Sequence, residues 1–351
     1  MFFGNRERYP QPRILRTVPK RTSYTFRGEG GREVTVFRLL PPTIPASFVD
    51  TGIYRPIDLL LRDVRFIRDR YGIEVKFGRR DNNDIDEARL VSCGSLAAAE
   101  SAVILREELA KYPYGYLQGC QINRIRFVEE LAIPKDGQPN KLQTIGGKAY
   151  YYSGHLYVKH HSADIRVREG IHHELGHRSD QVIYQRLRSY GQLGAWLGWF
   201  HRKPWPVANS QGVYLDGKYF DLPPEEISAL DITGFARAYG RNNYWEDRAT
   251  VAEGLMTDPK GYFDRGKSDP ILNRKIQLMM ADFWLRSGGL MTKGYFEDLA
   301  ADKVNETYWD SKIENSGLPL HKVVRPSAIV AAGILVSLSI AYLNSRNKIR
   351  K

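Results

Sequence analysis

The sequence predicts an α+β fold, and three observations carry that prediction. Short apolar or alternating runs of strand character lie before residue 162, helical periodicity dominates after it, and a long uncharged stretch stands apart at 327–343. Residues 1–48 are basic and broken by Pro10, Pro12, Pro19, Gly28, Gly30, Gly31 and Pro41, which describes an arm with "EVTVFRLL" as an edge strand. In "PIDLLLRDVRFIRDRY", Leu60, Val64, Ile67 and Tyr71 recur at helical spacing, and Gly72 supplies the stop. "IEVKFG" alternates as a strand. A second helix runs over 96–112, "LAAAESAVILREELAKY", and ends at Pro113.

"INRIRFVEEL" and "KAYYYSGHLYVKH" each read as one strand, with a loop between them from Asp136 to Gly147. A helix follows over 163–184. Residues 185–232 mix aromatic residues with Gly, Pro and Asn, and Trp196, Trp199, Phe200 and Trp205 are expected to cover the core. Helical periodicity resumes in "YWEDRATVAEGLM" and in "DPILNRKIQLMMADFWLRSGG", where Ser268 is the expected cap and Pro270 takes the first turn.

Composition narrows the partners. Hydrophobic residues make up 42% of the 351 and charged ones 26%, enough apolar content for a substantial core. A net charge of +12 favours anionic surfaces without choosing among lipid, nucleic acid and acidic protein. Two cysteines, Cys93 and Cys120, are too few for a disulfide framework or a cysteine-based zinc site, so both are expected as reduced thiols. No glycine-rich phosphate loop and no recognised nucleic-acid module are present, so nucleic acid is not an expected partner. The N-terminal residues are too interrupted by arginine and proline for a signal peptide.

The segment Ser327–Leu343 has no charge and as a helix would extend about 25 Å, nearly the hydrocarbon thickness of a bilayer. It is expected to be a C-terminal transmembrane helix, a single-pass anchor followed by a basic tail at 344–351, with the main domain in the cytosol.

The chemistry lies in "GIHHELGHRSD", residues 170–180. Four-residue spacing turns a helix by about 400°, so His173 and His177 stack on one face and can reach one ion. Zinc takes neutral imidazole nitrogens, and a catalytic site uses three protein ligands and keeps one position open. Glu174 then stands beside that position. The metzincin pattern needs a glycine and a histidine three and six residues past the second histidine; Asp180 and Ile183 stand there, which excludes that class. A third ligand from a later helix is expected, and "NNYWEDRATVAEGLM" offers Glu246, Asp247 and Glu253. Glu246 and Glu253 lie seven apart on one face, so periodicity does not separate them. His172 points about 100° from His173 and is not an expected ligand. Asp247 is read as a solvated helix carboxylate, or else as a partner for a ligand histidine.

The stretches "GHLYVKHH", "IHHELGHRSD", "WPVANSQGVY" and "GFARAYGRNNYWEDRATVAEGLM" resemble the gluzincin-type zinc-binding metallopeptidases related to the catalytic domain of anthrax lethal factor. The resemblance spans residues 98–290. It implies a zincin-like metalloprotease domain, here 49–320, binding one zinc ion through His173, His177 and Glu246. Glu174 and Tyr239 would be catalytic, and a peptide or protein would be the substrate. The implied function is a membrane-anchored zinc metallopeptidase acting through a zinc-activated water; the competing reading is an inactive zinc-fold scaffold tethered to a membrane. The chain departs from the family's Y-A-x-x-N-x-x-E-D/F-x-A-E pattern twice, with Gly240 for the alanine and Thr250 for the second glutamate.

Overall fold

The computed structural model describes residues 21–27, 33–39, 56–77, 89–135, 138–149, 153–192, 205 and 214–316. Contacts divide the chain into two units at Asp58/Leu59. In the first, β1 (Arg21–Arg27) and β2 (Glu33–Leu39) form an antiparallel pair with Tyr24 opposite Val36. The edge strand expected at 33–40 is therefore one half of a two-stranded ribbon.

The second unit is a mixed α+β body. Helix α1 (Pro56–Tyr71) leads to β3 (Glu74–Lys76), and β4 (Arg89–Ser92) leads to α2 (Ser95–Ala110) and the short α3 (Tyr114–Gly119). The sheet is organised around the twelve-residue β5 (Arg124–Lys135). Its first half pairs in parallel with β3 and with β8 (His155–Lys159), placing Ile125 beside Val75 and Leu156. Its second half pairs antiparallel with β4 and with β6 (Gln138–Thr144). The edge strand β7 (Gly147–Ala149) runs antiparallel to β8.

Two expectations change here. Residues 138–144, read as loop, pair as β6, because the extended second half of β5 offers main-chain partners that no side-chain pattern announces. Residues 148–160, read as one strand, hold β7 and β8, which reverse around Gly154. That glycine sits at φ +67°, and a Cβ there would stand 2.4 Å from the Gln121 carbonyl oxygen.

The remaining longer elements are helices: α4 (Asp164–Arg188), α5 (Pro224–Ala229), α6 (Tyr244–Thr257), α7 (Pro259–Ser268), α8 (Pro270–Arg286), α9 (Lys293–Ala300) and α10 (Tyr308–Ser316). Asp164 in the first turn of α4 and Arg186 and Arg188 in its last complement the helix dipole. Val167, Ile171 and Leu175 bury one stripe of α4 in the same core as Phe127, Leu156 and Val158 of the sheet. Asp269, rather than Ser268, caps α8 by accepting from the Leu272 amide at 2.9 Å; the Ser268 hydroxyl donates back to the Arg265 carbonyl. Among the described residues no helix is long and apolar enough to cross a membrane. Segment 327–343 lies outside the described residues, as do Trp196, Trp199 and Phe200. Trp205 is buried, as expected. Cys93 and Cys120 are both free thiols.

A buried ionic network braces α4 against α6 and α8. Arg248 donates to both oxygens of Asp180 at 2.8 and 3.0 Å, and Arg286 donates to Asp180 at 2.7 Å. Asp282 accepts from both arginines, so each buried charge has a partner. Burial alone would raise the Asp180 pKa, but Arg248 and Arg286 overcome it and carry the value from 3.8 down to about 2. A depressed carboxylate pKa contributes stability that is complete above pH 3.8 and lost as the pH falls through about 2. Replacing Asp180 with Asn should therefore cost on the order of 3 kcal/mol near neutrality. In denaturant titrations the gap between the two proteins should narrow as the pH falls from 4 toward 2.

Candidate metal centre and its surroundings

Helix α4 contributes His173, Glu174 and His177 to one wall of a cleft of about 1110 Å³, and α6 contributes Glu246. The N-terminus of α6 is fixed by Asn243, whose side-chain oxygen accepts from the Trp245 and Glu246 amides at 2.9 and 3.1 Å. Capping places Glu246 in the first turn, where a carboxylate also faces the positive end of the helix dipole.

Three donor atoms converge. Glu246 Oε2 lies 3.0 Å from His173 Nε2 and 3.1 Å from His177 Nε2, and the two Nε2 atoms are 3.1 Å apart. His173, His177 and Glu246 thus form a group that could hold a metal ion. Ligands about 2 Å from a tetrahedral zinc stand roughly 3.3 Å apart, close to the spacing found here. The tautomer fits as well. His173 Nδ1 lies 3.1 Å from Glu253 Oε2, and a proton given there leaves the Nε2 lone pair facing the trio. Burial would lower the His173 pKa, but Glu246 and Glu253 outweigh it and raise the value to about 10. The pull that holds a proton there serves equally for a cation.

Glu253 is therefore placed behind His173 and not beside the trio. Arg237 donates to the same Glu253 oxygen at 2.5 Å and reaches Glu169 at 3.5 Å, which ties the carboxylate to the cleft rim. Sequence reasoning identified Glu253 only as an unresolved alternative and missed Arg237. The seven-residue spacing was the available signal, since two turns of helix separate a group facing Nε2 from one facing Nδ1 of the same ring.

Glu174 is buried, and its Oε2 has no hydrogen-bond partner among the described residues. Burial raises its pKa, against the opposing pull of His177 and His173. It lies against β7 so closely that a Cβ on Gly147 would stand 2.5 Å from Glu174 Oε1. The Tyr239 ring centroid is 5.8 Å from that of His173, and its side chain lines the same cleft. Burial first, then Glu246 and Glu174, push the phenol pKa far up, so Tyr239 remains a donor at neutral pH.

The other site expectations divide. His172 is fully buried, with Nε2 2.5 Å from Glu108 and Nδ1 2.8 Å from the Tyr112 hydroxyl, away from the trio. Asp247 is neither solvated nor a partner of a ligand histidine. It is fully buried, and its Oδ2 accepts from Lys275 at 2.7 Å and from Trp205 and Tyr214 at 2.8 Å. One residue beyond Glu246 on a helix means about 100° of rotation, which turns Asp247 into the protein. Gly240 and Thr250 are neighbours: a Cβ on Gly240 would stand 2.9 Å from Thr250 Oγ1, and that hydroxyl donates to the Asp247 carbonyl at 2.9 Å.

No family model matches the chain, and no curated protein matches it. In fold it is similar to the crystal structure of a candidate zinc-binding metallo-peptidase from Bacteroides caccae, at 14% identity and a TM-score of 0.43, over 76% of this chain and 95% of that one.

The positions of Glu246 and Glu253 predict separable effects on metal affinity. Glu246→Ala should abolish tight zinc binding, whereas Glu253→Ala should weaken it by about 10–100-fold, as loss of a histidine's outer partner does. Zinc titration against a competing chelator reads both.

Proposed function

We propose that the chain is a zinc-dependent metallopeptidase of the gluzincin kind, with His173, His177 and Glu246 as the metal ligands. The observation that carries this reading is the trio of donors at 3.0–3.1 Å with an unpartnered, buried glutamate oxygen beside it. A site built only to stabilise the fold would close its fourth position with another ligand and would have no use for a basic carboxylate there. Zinc held by these residues supplies Lewis acidity, which brings the pKa of water toward about 7.

Glu174 takes the proton of the attacking water and passes it to the leaving amine. Its burial raises its basicity, and the free Oε2 leaves room for the proton. Tyr239, held protonated, donates its hydroxyl hydrogen to the carbonyl oxygen as negative charge develops; donors of this kind contribute about 2.7–4 kcal/mol to barrier lowering. The outer edge of β7, which has no strand beside it among the described residues, holds an extended substrate by main-chain hydrogen bonds. Gly147 keeps that edge close to Glu174. The uncharged segment 327–343, with the basic residues after it, tethers the peptidase to a membrane as a single-pass anchor with its domain in the cytosol.

Glu174→Gln tests the reading, because the amide keeps the shape and loses the base. Both parent and variant should bind about one zinc per chain, and only the parent should cleave a casein or peptide-library substrate, with activity removed by chelator and restored by zinc. Equal proteolysis by the two proteins would remove Glu174 from the reaction.

A further inference from the structure

Tyr239 is carried on a segment, residues 234–241, that two cations hold from behind. The Gly234 carbonyl accepts from Lys275 Nζ at 2.5 Å, and the next two carbonyls, of Phe235 and Ala236, accept from Arg265 at 3.0 and 2.6 Å. The Gly234 amide donates to Asp269, the cap of α8, at 2.6 Å. Lys275 does more than anchor this segment. Its Nζ also donates to Asp247 Oδ2 at 2.7 Å and lies 4.0 Å from the centroid of the Phe235 ring, so each of its three protons meets an acceptor. Asp247 follows Glu246 in the first turn of α6. One fully buried ammonium thus joins the segment bearing Tyr239 to the turn bearing the Glu246 carboxylate.

We infer that Lys275 is a positioning residue: by bridging Gly234 and Asp247 it fixes where the Tyr239 hydroxyl stands relative to His173, His177 and Glu246. The use made of that hydroxyl rests on the peptidase reading; the bridge does not. The Gly234 carbonyl and the Asp247 carboxylate both lie within 2.7 Å of one nitrogen. Without the ammonium, two buried acceptors would face each other with no donor between them, and the segment would move off α6. Glu246 would stay, because Asn243 caps its turn and Arg248 binds Asp180 beside it. The Tyr239 ring lies only 5.8 Å from that of His173, and a displacement of about 1 Å is enough to spoil alignment with a reacting group. Stability alone accounts poorly for the pair, since apolar side chains of similar volume would serve the fold as well as a buried ion pair.

The test loads the full chain with Co2+ and labels it with 3-fluorotyrosine. Fluorine NMR then reports where each tyrosine ring stands relative to the paramagnetic ion, and Tyr239→Phe identifies the Tyr239 resonance by its loss. Lys275→Met should displace that cobalt-shifted resonance. Arg106→Met, which removes a buried cation of α2 paired with Asp63 and Glu306, should leave it in place. With zinc in the site and a peptide that the parent cleaves, Lys275→Met should lower kcat about 10-fold or more with KM within about 2-fold, since one oxyanion donor is worth roughly 10²–10³ in rate. In a Tyr239→Phe background the same change should lower kcat by no more than about 2-fold. If Lys275→Met does not fold, Lys275→Met with Asp247→Asn, which strands no charge, is read in the same way. An unmoved resonance, or the same kcat loss with and without the Tyr239 hydroxyl, overturns the inference. So does a parent with no cobalt-shifted tyrosine. A displaced resonance in a chain that cleaves nothing counts against the peptidase reading alone.

Discussion

The packing of α4 against α6 is the constraint on which the site depends. His173 and His177 belong to one helix and Glu246 to the other, and their donors meet within 3.1 Å only in one register of the crossing. The same two helices are joined on either side of that point by Glu253 to His173 and by Arg248 to Asp180. A buried ion pair adds little net stability over apolar packing, since desolvation offsets most of the attraction. Breaking one, however, strands a charge. A slip of one helical turn, about 5.4 Å, would break all of these pairs together, so the network selects the register more than it strengthens the fold.

Three carboxylates lie near that crossing in three different environments. Glu246 is held ionised well below the usual range, because His177 and His173 outweigh the cost of its burial. Glu253 is held by Arg237 and faces the rear of His173. Glu174 has the same kind of burial with one oxygen unpartnered, and its affinity for a proton rises. The division follows from which positive groups each can reach, and it sets apart the proposed ligand, the group behind His173 and the proposed base among chemically similar residues.

Much of this was legible in the sequence. Helical spacing located α1, α4, α6 and α8 to within a few residues, and the His-Glu-x-x-His spacing placed both imidazoles on one face. Periodicity repeats every turn, however, and so could not rank Glu246 above Glu253; only the Asn243 cap and the helix crossing decide which one faces Nε2. Strand β6 was hidden because its pairing is main-chain and its residues, "QPNKLQT", carry no alternating apolar pattern. Asp247 was misjudged for a different reason. Its partners Lys275, Trp205 and Tyr214 come from distant parts of the chain, and nothing local to Asp247 announces a buried cation 28 residues away.

Gly240 and Thr250 pack as one unit. Position 250, four residues after Glu246, is a threonine, and the carboxylate behind His173 is Glu253. Thr250 turns its hydroxyl to the Asp247 carbonyl and is itself fully buried, which brings Oγ1 up against Gly240. An alanine at 240 would press its methyl to 2.9 Å from that oxygen, tighter than real Cβ contacts allow, so glycine at 240 accommodates threonine at 250. The turn carrying Tyr239 thereby keeps its close seat on α6. Glycine at 240 and threonine at 250 are thus two sides of one packing solution, which seats this turn on α6 while Glu253, tied to Arg237, meets His173 from behind.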